Sequence, residues 1–171
     1  MNITKENNLI ETQTSIAEFI SITRNFSNNS SVLELRKHDQ HASISRYKHC
    51  LNVAFYTYLI CKKLGLDYIS ATRGAMLHDL YYYDWKSRNG QTPKLHAFTH
   101  PRIAFNNATE IFELNKMEKD IILKHMWPLT VIPPKYRESF IVTLVDKYCA
   151  TFELFMCFKK NRFKKNNHKN L

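Results

Sequence analysis

Glycine occurs at only three of the 171 positions, 65, 74 and 90. A β fold with many tight turns needs more residues that adopt left-handed backbone conformations, so this scarcity favours helices. Apolar residues recur at helical spacing, and polar stretches or prolines separate the segments. We therefore predict an all-α fold with one domain, since a chain of this length can bury a sizeable core.

Capping residues and helix breakers set the expected helix boundaries. Ser15 with Glu18 predicts the start of a first helix, which the polar residues 28–31 break, and Ser31 with Glu34 predicts a short second one. Residues 83–98 are expected to form the longest loop. Five core helices follow the lead-in: from about Ser43 or Ser45 to Leu64 before Gly65, from about Tyr68 to Leu80 after the cap Asp67, from the cap Thr99 through Pro101 to about Leu114, from Asn115 to about His125 or Met126, and from about Tyr136 to Lys160.

The net charge of +10 is concentrated at the C-terminus. Six of the 25 Lys and Arg residues, and no acid, lie from Lys159 onward, which leaves 19 minus 15, or +4, for residues 1–158. Such a tail is usually a solvated chain end. The alternative is that it makes a weak, salt-dependent contact with nucleic acid or anionic lipid. We predict a helical lead-in over residues 1–40, a domain over 41–158 and a basic tail over 159–171.

The chain has no apolar run long enough to span a bilayer, and its first residues lack the apolar core of a signal peptide. The four cysteines contain no Cys-x-x-Cys pair and lie in apolar, helix-like segments. Buried thiols in a reducing compartment are therefore expected. These features predict a cytoplasmic protein.

An imidazole and a carboxylate stand side by side at His78 and Asp79, directly after the apolar residues 74–77. Burying such a pair is costly unless each group is hydrogen-bonded or bound to a metal. The ordinary alternative is a core histidine beside an exposed aspartate, and His38-Asp39 is a second dipeptide of this kind.

Helical hairpins bring histidines to matching depths. His49 lies 16 residues before Gly65 and His78 lies 13 after it, so both are roughly 20–24 Å from the turn at 1.5 Å per residue. His100 and His125 lie 15 residues before and 10 after the next turn, at Asn115. Four histidines at one end of a bundle core suggest a metal site.

Asp146 supplies a further carboxylate, because it interrupts the apolar run of residues 140–145 in the last helix, where an unpaired anion is costly. Lys147 beside it is expected to point away, since consecutive helix residues do not share a face.

These residues together resemble the signature of the HD-domain superfamily of metal-dependent phosphohydrolases. That signature is a histidine, an adjacent His-Asp pair and a distant aspartate on a five-helix core. The resemblance covers about residues 41–155, and the stretches Leu-His-Asp-x-x-x-Tyr-Asp-Trp, Thr-His-Pro and Lys-His-Met-Trp-Pro are similar to a group of small bacterial HD proteins. The matching residues are His49, His78, Asp79 and Asp146, while His100 and His125 resemble the two added histidines of the dinuclear branch, in which the Asp of the pair bridges two metals.

The resemblance implies an HD-domain helical bundle that binds two divalent transition-metal ions through these six residues. Such a donor set suits Fe or Mn better than Zn. The expected reaction is hydrolysis of a phosphate ester or anhydride, in a nucleotide or a related small molecule, by a metal-activated hydroxide, with His78 and Asp79 at its centre. The Gly-Tyr-Pro and His-Asp-x-Gly-Lys patterns of the cyclic-di-GMP phosphodiesterase branch are absent from the sequence, which speaks against that substrate.

Several further polar residues are candidates for contact with the substrate. His96 lies four residues before His100 and could replace it as a ligand, and Arg46, Lys135 and Arg137 could face a phosphate. A rival function is a noncatalytic metal-containing helical module that binds nucleic acid through the basic tail. The complete ligand set favours the enzyme, because a pure binding module has little need of six buried titratable groups.

Overall fold

The computed structural model describes residues 3–41, 44–84 and 95–167. Most of the predicted 83–98 loop, residues 85–94, lies outside these ranges. The described elements are α1 (Ile3–Ser27), α2 (Ser30–Glu34), a 3-10 turn (Leu35–Lys37), β1 (Asp39–His41), β2 (Ile44–Ser45), α3 (Arg46–Lys63), α4 (Tyr68–Leu77), α5 (His96–Ile111), α6 (Lys116–Lys124) and α7 (Arg137–Asn167). The all-α prediction with five core helices, α3–α7, is confirmed.

Local capping explains the boundaries that the sequence predicted well. The Ser45 hydroxyl accepts the Lys48 N–H at the start of α3, and Gly65 adopts a left-handed φ of 65° after its end. Asp67 caps α4, and Asn115 with Glu118 forms a complete capping box on α6. Each device satisfies backbone groups that a helix end leaves unpaired.

Three predicted N-terminal boundaries were wrong. Helix α1 begins at Ile3, so Ser15 lies inside it and caps nothing. The side chain of Asn29, not Ser31, caps α2. Helix α5 begins at His96, three residues before Thr99, and carries Pro101 in its interior.

Helices α4 and α7 end elsewhere than predicted. Helix α4 stops at Leu77 rather than Leu80, because Leu80 N donates to Leu77 O at 3.1 Å and Tyr81 N donates to Asp79 O at 2.8 Å in place of helical hydrogen bonds. Side chains from other elements hold the segment that follows. Asn107 donates to Leu80 O at 2.8 Å, and Arg46 donates to Tyr81 O at 2.7 Å. Helix α7 continues to Asn167, so the first part of the basic segment is helical.

The short antiparallel ribbon of β1 and β2 was not predicted. It is too short to give an alternating sequence pattern. Arg46 N, at the start of α3, donates to the oxygen of His38, the residue before β1, at 2.7 Å, and this bond joins the ribbon to the bundle. The ribbon brings Gln40 to the end of the bundle that contains the buried histidines.

One hydrophobic core joins the helices. Phe19 and Phe26 of α1 are buried in it, so the N-terminal segment packs against the bundle. The division of the chain at residues 41 and 159 stays a prediction. Within the described part, none of the helices is long and apolar enough to cross a bilayer. Other core members are Val53, Ala54, Tyr58, Ala75, Met76, Leu77, Ala104, Ala108, Ile121, Ile122, Val142 and Val145.

Helices α4 and α6 approach closely at Gly74. A Cβ atom there would lie 2.8 Å from Ile121 Cδ1 and 3.1 Å from Ile121 Cβ. Four residues further along each helix are His78 and His125, whose ring centroids are 4.9 Å apart. The absence of a side chain at residue 74 therefore sets the spacing of two histidines one turn away.

Glu18 ties α1 to the core helices. Its carboxylate accepts hydrogen bonds from Tyr58 Oη at 2.5 Å and Tyr68 Oη at 2.7 Å, and it pairs with Lys62. The Lys62 ammonium and the two hydroxyls lower the pKa of Glu18 to about 2.

Glu18→Gln is expected to lower the free energy of unfolding at pH 7 by about 1 kcal/mol, because the cluster is partly exposed and screened. A depressed carboxyl pKa stabilises the fold above the unfolded-state pKa, and this contribution is lost as the pH falls toward 2. Urea unfolding at several pH values should therefore show the two proteins converging below pH 5. Glu110→Gln, on the exposed side of α5, is the control, and an equal loss there would remove the special role of Glu18.

Candidate metal centre

Each core helix delivers one or two groups to the same end of the bundle. His49 comes from α3, and His78 and Asp79 follow the end of α4. His100 comes from α5, His125 follows the end of α6, and Asp146 comes from α7. All six residues are buried. The structure thus brings together the six residues that the sequence singled out.

The donor atoms form two groups that share Asp79. In subsite 1, one donor atom each from His49, His78 and Asp79 lie within 4.8 Å of one another. Subsite 2 consists of Asp79, His100 and His125 and meets the same limit. Asp146 Oδ1 adjoins subsite 1, at 3.0 Å from His49 Nε2 and 3.6 Å from His78 Nε2.

The two oxygens of Asp79 face different subsites. Oδ2 lies 3.6 Å from His78 Nε2. Oδ1 lies 3.2 Å from His100 Nε2 and 3.5 Å from His125 Nε2. One carboxylate therefore stands between two sets of imidazoles.

Backbone carbonyls fix the tautomers of three histidines. The Nδ1 atoms of His78, His100 and His125 lie 2.7, 3.0 and 2.8 Å from carbonyl oxygens three or four residues earlier. A carbonyl only accepts, so each Nδ1 carries a proton and donates it. The Nε2 atom of each ring faces the site, and in the neutral form of the ring it keeps the lone pair that a metal ligand requires.

Converging lone pairs are unfavourable unless a positive charge lies between them. His100 Nε2 and His125 Nε2 are 2.8 Å apart. His78 Nε2 and Asp79 Oδ1 are buried without a hydrogen bond to any described residue. Orphaned polar atoms in the interior are costly. The donor set therefore fits divalent cations.

The charges of the site favour ionised carboxylates. Burial raises the pKa of Asp79, but His78 and the imidazoles of His100 and His125 hold it well below its usual range. Burial likewise opposes ionisation of Asp146, and His49 and His78 keep its pKa low. Both side chains are thus anions that can attract a cation.

The pKa of His49, in subsite 1, and the pKa of His125, in subsite 2, shift in opposite directions. Burial lowers the pKa of His49, but hydrogen bonds to Asp146 and Glu153 raise it to about 10. Burial and the charges of His78 and His100 lower the pKa of His125, despite Asp79. The negative charges of Asp146 and Glu153, which favour a proton on His49, also favour a metal cation in place of that proton.

A cavity of about 290 Å³ opens onto subsite 2. Ala97, Met126 and Ala150 supply the apolar part of its wall. Its polar lining consists of Gln40, Asp79, His96, His100, His125, Asp146 and Lys147.

The other sequence candidates lie in different places. His96 lines the cavity, stacks on His100 at 4.6 Å between ring centroids and contacts Tyr83 Oη at 2.9 Å. Burial and the nearby His100 lower the pKa of His96 to about 4, so this ring is neutral at pH 7. Arg46 is buried behind the site. Lys135 and Arg137 are exposed near the start of α7 and are not among the described residues that line the cavity.

The expectation that Lys147 points away was wrong. Its long side chain turns back along α7, and Nζ donates to His125 O at 2.9 Å at the cavity wall. The spacing rule holds for the Cβ direction but does not limit where a four-carbon side chain can reach.

Glu153 and Gln40 also contact the site, and neither was predicted from the sequence. Glu153 Oε2 lies 3.0 Å from His49 Nδ1 and Oε1 accepts from Asn52 at 3.3 Å. Its spacing of seven residues from Asp146 places both on one face of α7 and could have revealed it. Gln40 donates to Asp79 Oδ2 from the unpredicted ribbon, and nothing in the local sequence indicates this.

A protein-family model described as HD domain matches residues 46–151. This range begins at the first residue of α3 and includes the five residues of the two subsites as well as Asp146. No curated protein and no solved structure matches the chain significantly.

Proposed function

The chain belongs to the HD-domain family, and we propose that it is a metal-dependent phosphohydrolase acting on a phosphate ester or anhydride of a nucleotide or a related small molecule. Members of this family are generally metal-dependent hydrolases. The observation that carries the proposal is the position of Asp79, whose two oxygens face two separate groups of histidines. Carboxylates shared in this way are typical of sites with two metal ions.

Two divalent ions, Fe or Mn in preference to Zn, would be held by this donor set. One would bind at subsite 1 together with Asp146, and the other at subsite 2. When bound, such ions supply an activated water and neutralise charge on the phosphoryl group. Subsite 2 offers three protein donors and borders the cavity, so water would have access to an ion held there.

The chain's own residues would bind and orient the substrate. Lys147 carries a positive charge at the cavity wall, and its contact with the His125 carbonyl holds that charge beside subsite 2. His96 is neutral at pH 7 and can offer a ring N–H to a phosphoryl oxygen. Apolar wall residues such as Met126 and Ala150 suit a base or another flat, apolar moiety. Substrate contacts of Arg46, Lys135 and Arg137 receive no support from this geometry.

Metal content and hydrolysis measured on the same sample test the proposal. Protein purified with Fe²⁺ or Mn²⁺ should contain two ions per chain and should hydrolyse at least one member of a panel of nucleoside phosphates, cyclic nucleotides and small phosphate esters. A content of one ion at most would mean that the site is mononuclear. His100 and His125 would then be buried, hydrogen-bonded histidines rather than metal ligands. Two ions without hydrolysis of any panel member would favour a noncatalytic module.

The noncatalytic alternative draws support from the end of α7. Phe155 and Phe158 are 62% and 72% exposed, and six Lys or Arg residues follow from Lys159. Exposed aromatic rings beside basic residues suit stacking on single-stranded nucleic acid. This second function would use a surface separate from the cavity.

Deletion from Asn161 onward separates the two functions. It removes Arg162, Lys164, Lys165 and Lys169, so any affinity for nucleic acid should fall. The slope of log affinity against log salt should lessen by up to about four units, roughly one for each phosphate that these side chains neutralise. Metal content and turnover of a small nucleotide should stay nearly unchanged. Replacing the four residues by Gln in the full-length chain is the control for length, and a large loss of turnover with intact metal content would assign the tail to the active site.

A further inference from the structure

We propose that Gln40 is a positioning residue that holds Asp79 so that one of its oxygens serves each subsite. The inference rests on the proposed two-metal function and deepens it. Gln40 lies on β1, six residues before the range that the family model matches. It is buried and stands between Asp79 and the side chains of Arg46 and Tyr81.

Two donors determine which way the Gln40 amide faces. Arg46 Nε donates to Gln40 Oε1 at 2.7 Å, and Tyr81 Oη donates to the same oxygen at 3.1 Å. A guanidinium has no acceptor, so it must meet the amide oxygen rather than the NH₂ group. The NH₂ group is thereby directed at Asp79, where it donates to Oδ2.

Arg46 is itself fixed by the ends of other elements. Its Nη1 and Nη2 atoms donate to the carbonyl oxygens of Tyr81, at 2.7 Å, and Tyr83, at 3.2 Å. Nη2 also donates to Asp39 O at 3.3 Å, and the guanidinium carbon lies 3.6 Å from the Tyr81 ring centroid. These contacts join the ribbon, the start of α3 and the segment after α4. Gln40 is therefore held on a rigid support.

The contact with Gln40 makes the two oxygens of Asp79 unequal. A carboxylate oxygen can accept in about two lone-pair directions. At Oδ2, Gln40 occupies one lone-pair direction and leaves the other available toward His78. At Oδ1, which faces His100 and His125, the lone pairs have no hydrogen bond from any described residue.

Rotation of the carboxylate would break the contact with Gln40. A freely turning carboxylate can place both oxygens on one cation as a chelate, and the second cation then loses its only anionic ligand among the donors of subsite 2. Gln40 opposes this rearrangement, because its NH₂ group meets Oδ2 only in the observed orientation. The expected role is thus to preserve binding of the second ion without touching either ion.

The test compares Gln40→Met with Asn107→Leu in the full-length protein. The methionine side chain has a similar length but no N–H group that could donate to Asp79. Asn107 is a matched control, since it donates to Leu80 O, next to Asp79 in the chain, and does not reach the carboxylate. Mn²⁺ titration followed by calorimetry and by electron paramagnetic resonance gives the affinity for each ion and the coupling between two ions.

Gln40→Met should weaken the second Mn²⁺ by about 10- to 100-fold, the usual cost of losing a partner behind a metal ligand. The first ion should bind as in the unchanged protein, and the signal of a coupled pair should diminish. Asn107→Leu should keep both affinities. Unchanged binding of both ions by Gln40→Met, or an equal loss in Asn107→Leu, would overturn the inference. A raised KM with both affinities intact would also overturn it, because Gln40 would then act on the substrate.

Two further measurements keep the outcomes distinct. If the unchanged protein binds fewer than two Mn²⁺ ions, the two-metal function fails and this inference fails with it. If Gln40→Met does not fold, Tyr81→Phe takes its place, because it removes one donor to Gln40 Oε1 and leaves Asp79 intact. Several-fold weaker binding of the second ion supports the inference in that variant, and unchanged binding overturns it.

Discussion

Asp79→Ala is expected to abolish hydrolysis and to lower the metal content of the purified protein. Among the described residues, Asp79 alone belongs to both subsites, so its removal takes an anionic ligand from each. Loss of a single outer partner of a ligand already weakens metal binding by about 10- to 100-fold, and loss of a shared ligand should cost more. Elemental analysis and turnover measured on the same sample check the result.

Asp39→Ala is the matched control for this prediction. Asp39 follows a histidine just as Asp79 does, but its side chain is exposed on β1. Metal content and turnover should therefore stay at the level of the unchanged protein. Equal losses from both substitutions would contradict the assignment of the site.

Mn²⁺ is expected to raise the melting temperature of the metal-free protein strongly. The ligands come from five helices and from segments far apart in the sequence, so an unfolded chain cannot present them together. An ion that binds only the folded state adds about 4 kcal/mol when its concentration is a thousand times its Kd. For a chain of this size that corresponds to roughly 8–16 °C for one ion. Differential scanning calorimetry before and after chelation measures the change.

Asp79→Ala again supplies the comparison. Its melting temperature should respond weakly to Mn²⁺, because neither subsite is complete. A similar rise in both proteins would assign the stabilisation to ions bound at other positions on the surface.

Local sequence signals predicted the fold where one residue decides a boundary. Ser45, Gly65, Asp67 and Asn115 act through contacts with their immediate neighbours in the chain. The end of α4 could not be predicted in this way, because the segment after it is held by Asn107 and Arg46 from other elements. Tertiary hydrogen bonds can override a helical pattern that would otherwise continue.

In the candidate site, too, some features could be predicted from the local sequence and others could not. The depths of His49 and His78 on a hairpin, and the cost of a carboxylate at position 146, both follow from helix geometry and burial. The contact of Gln40 with Asp79 joins residues 39 positions apart through a ribbon of five described residues. No periodicity encodes such a contact, so a structure is needed to find it.

The close packing of Gly74 on Ile121 leads to an expectation about related sequences. The two residues share one small space, and that space also sets the distance between His78 and His125. Among homologues that keep both histidines, positions 74 and 121 should therefore vary as a pair. A residue larger than glycine at 74 should be accompanied by one smaller than isoleucine at 121, so that the combined volume stays nearly constant.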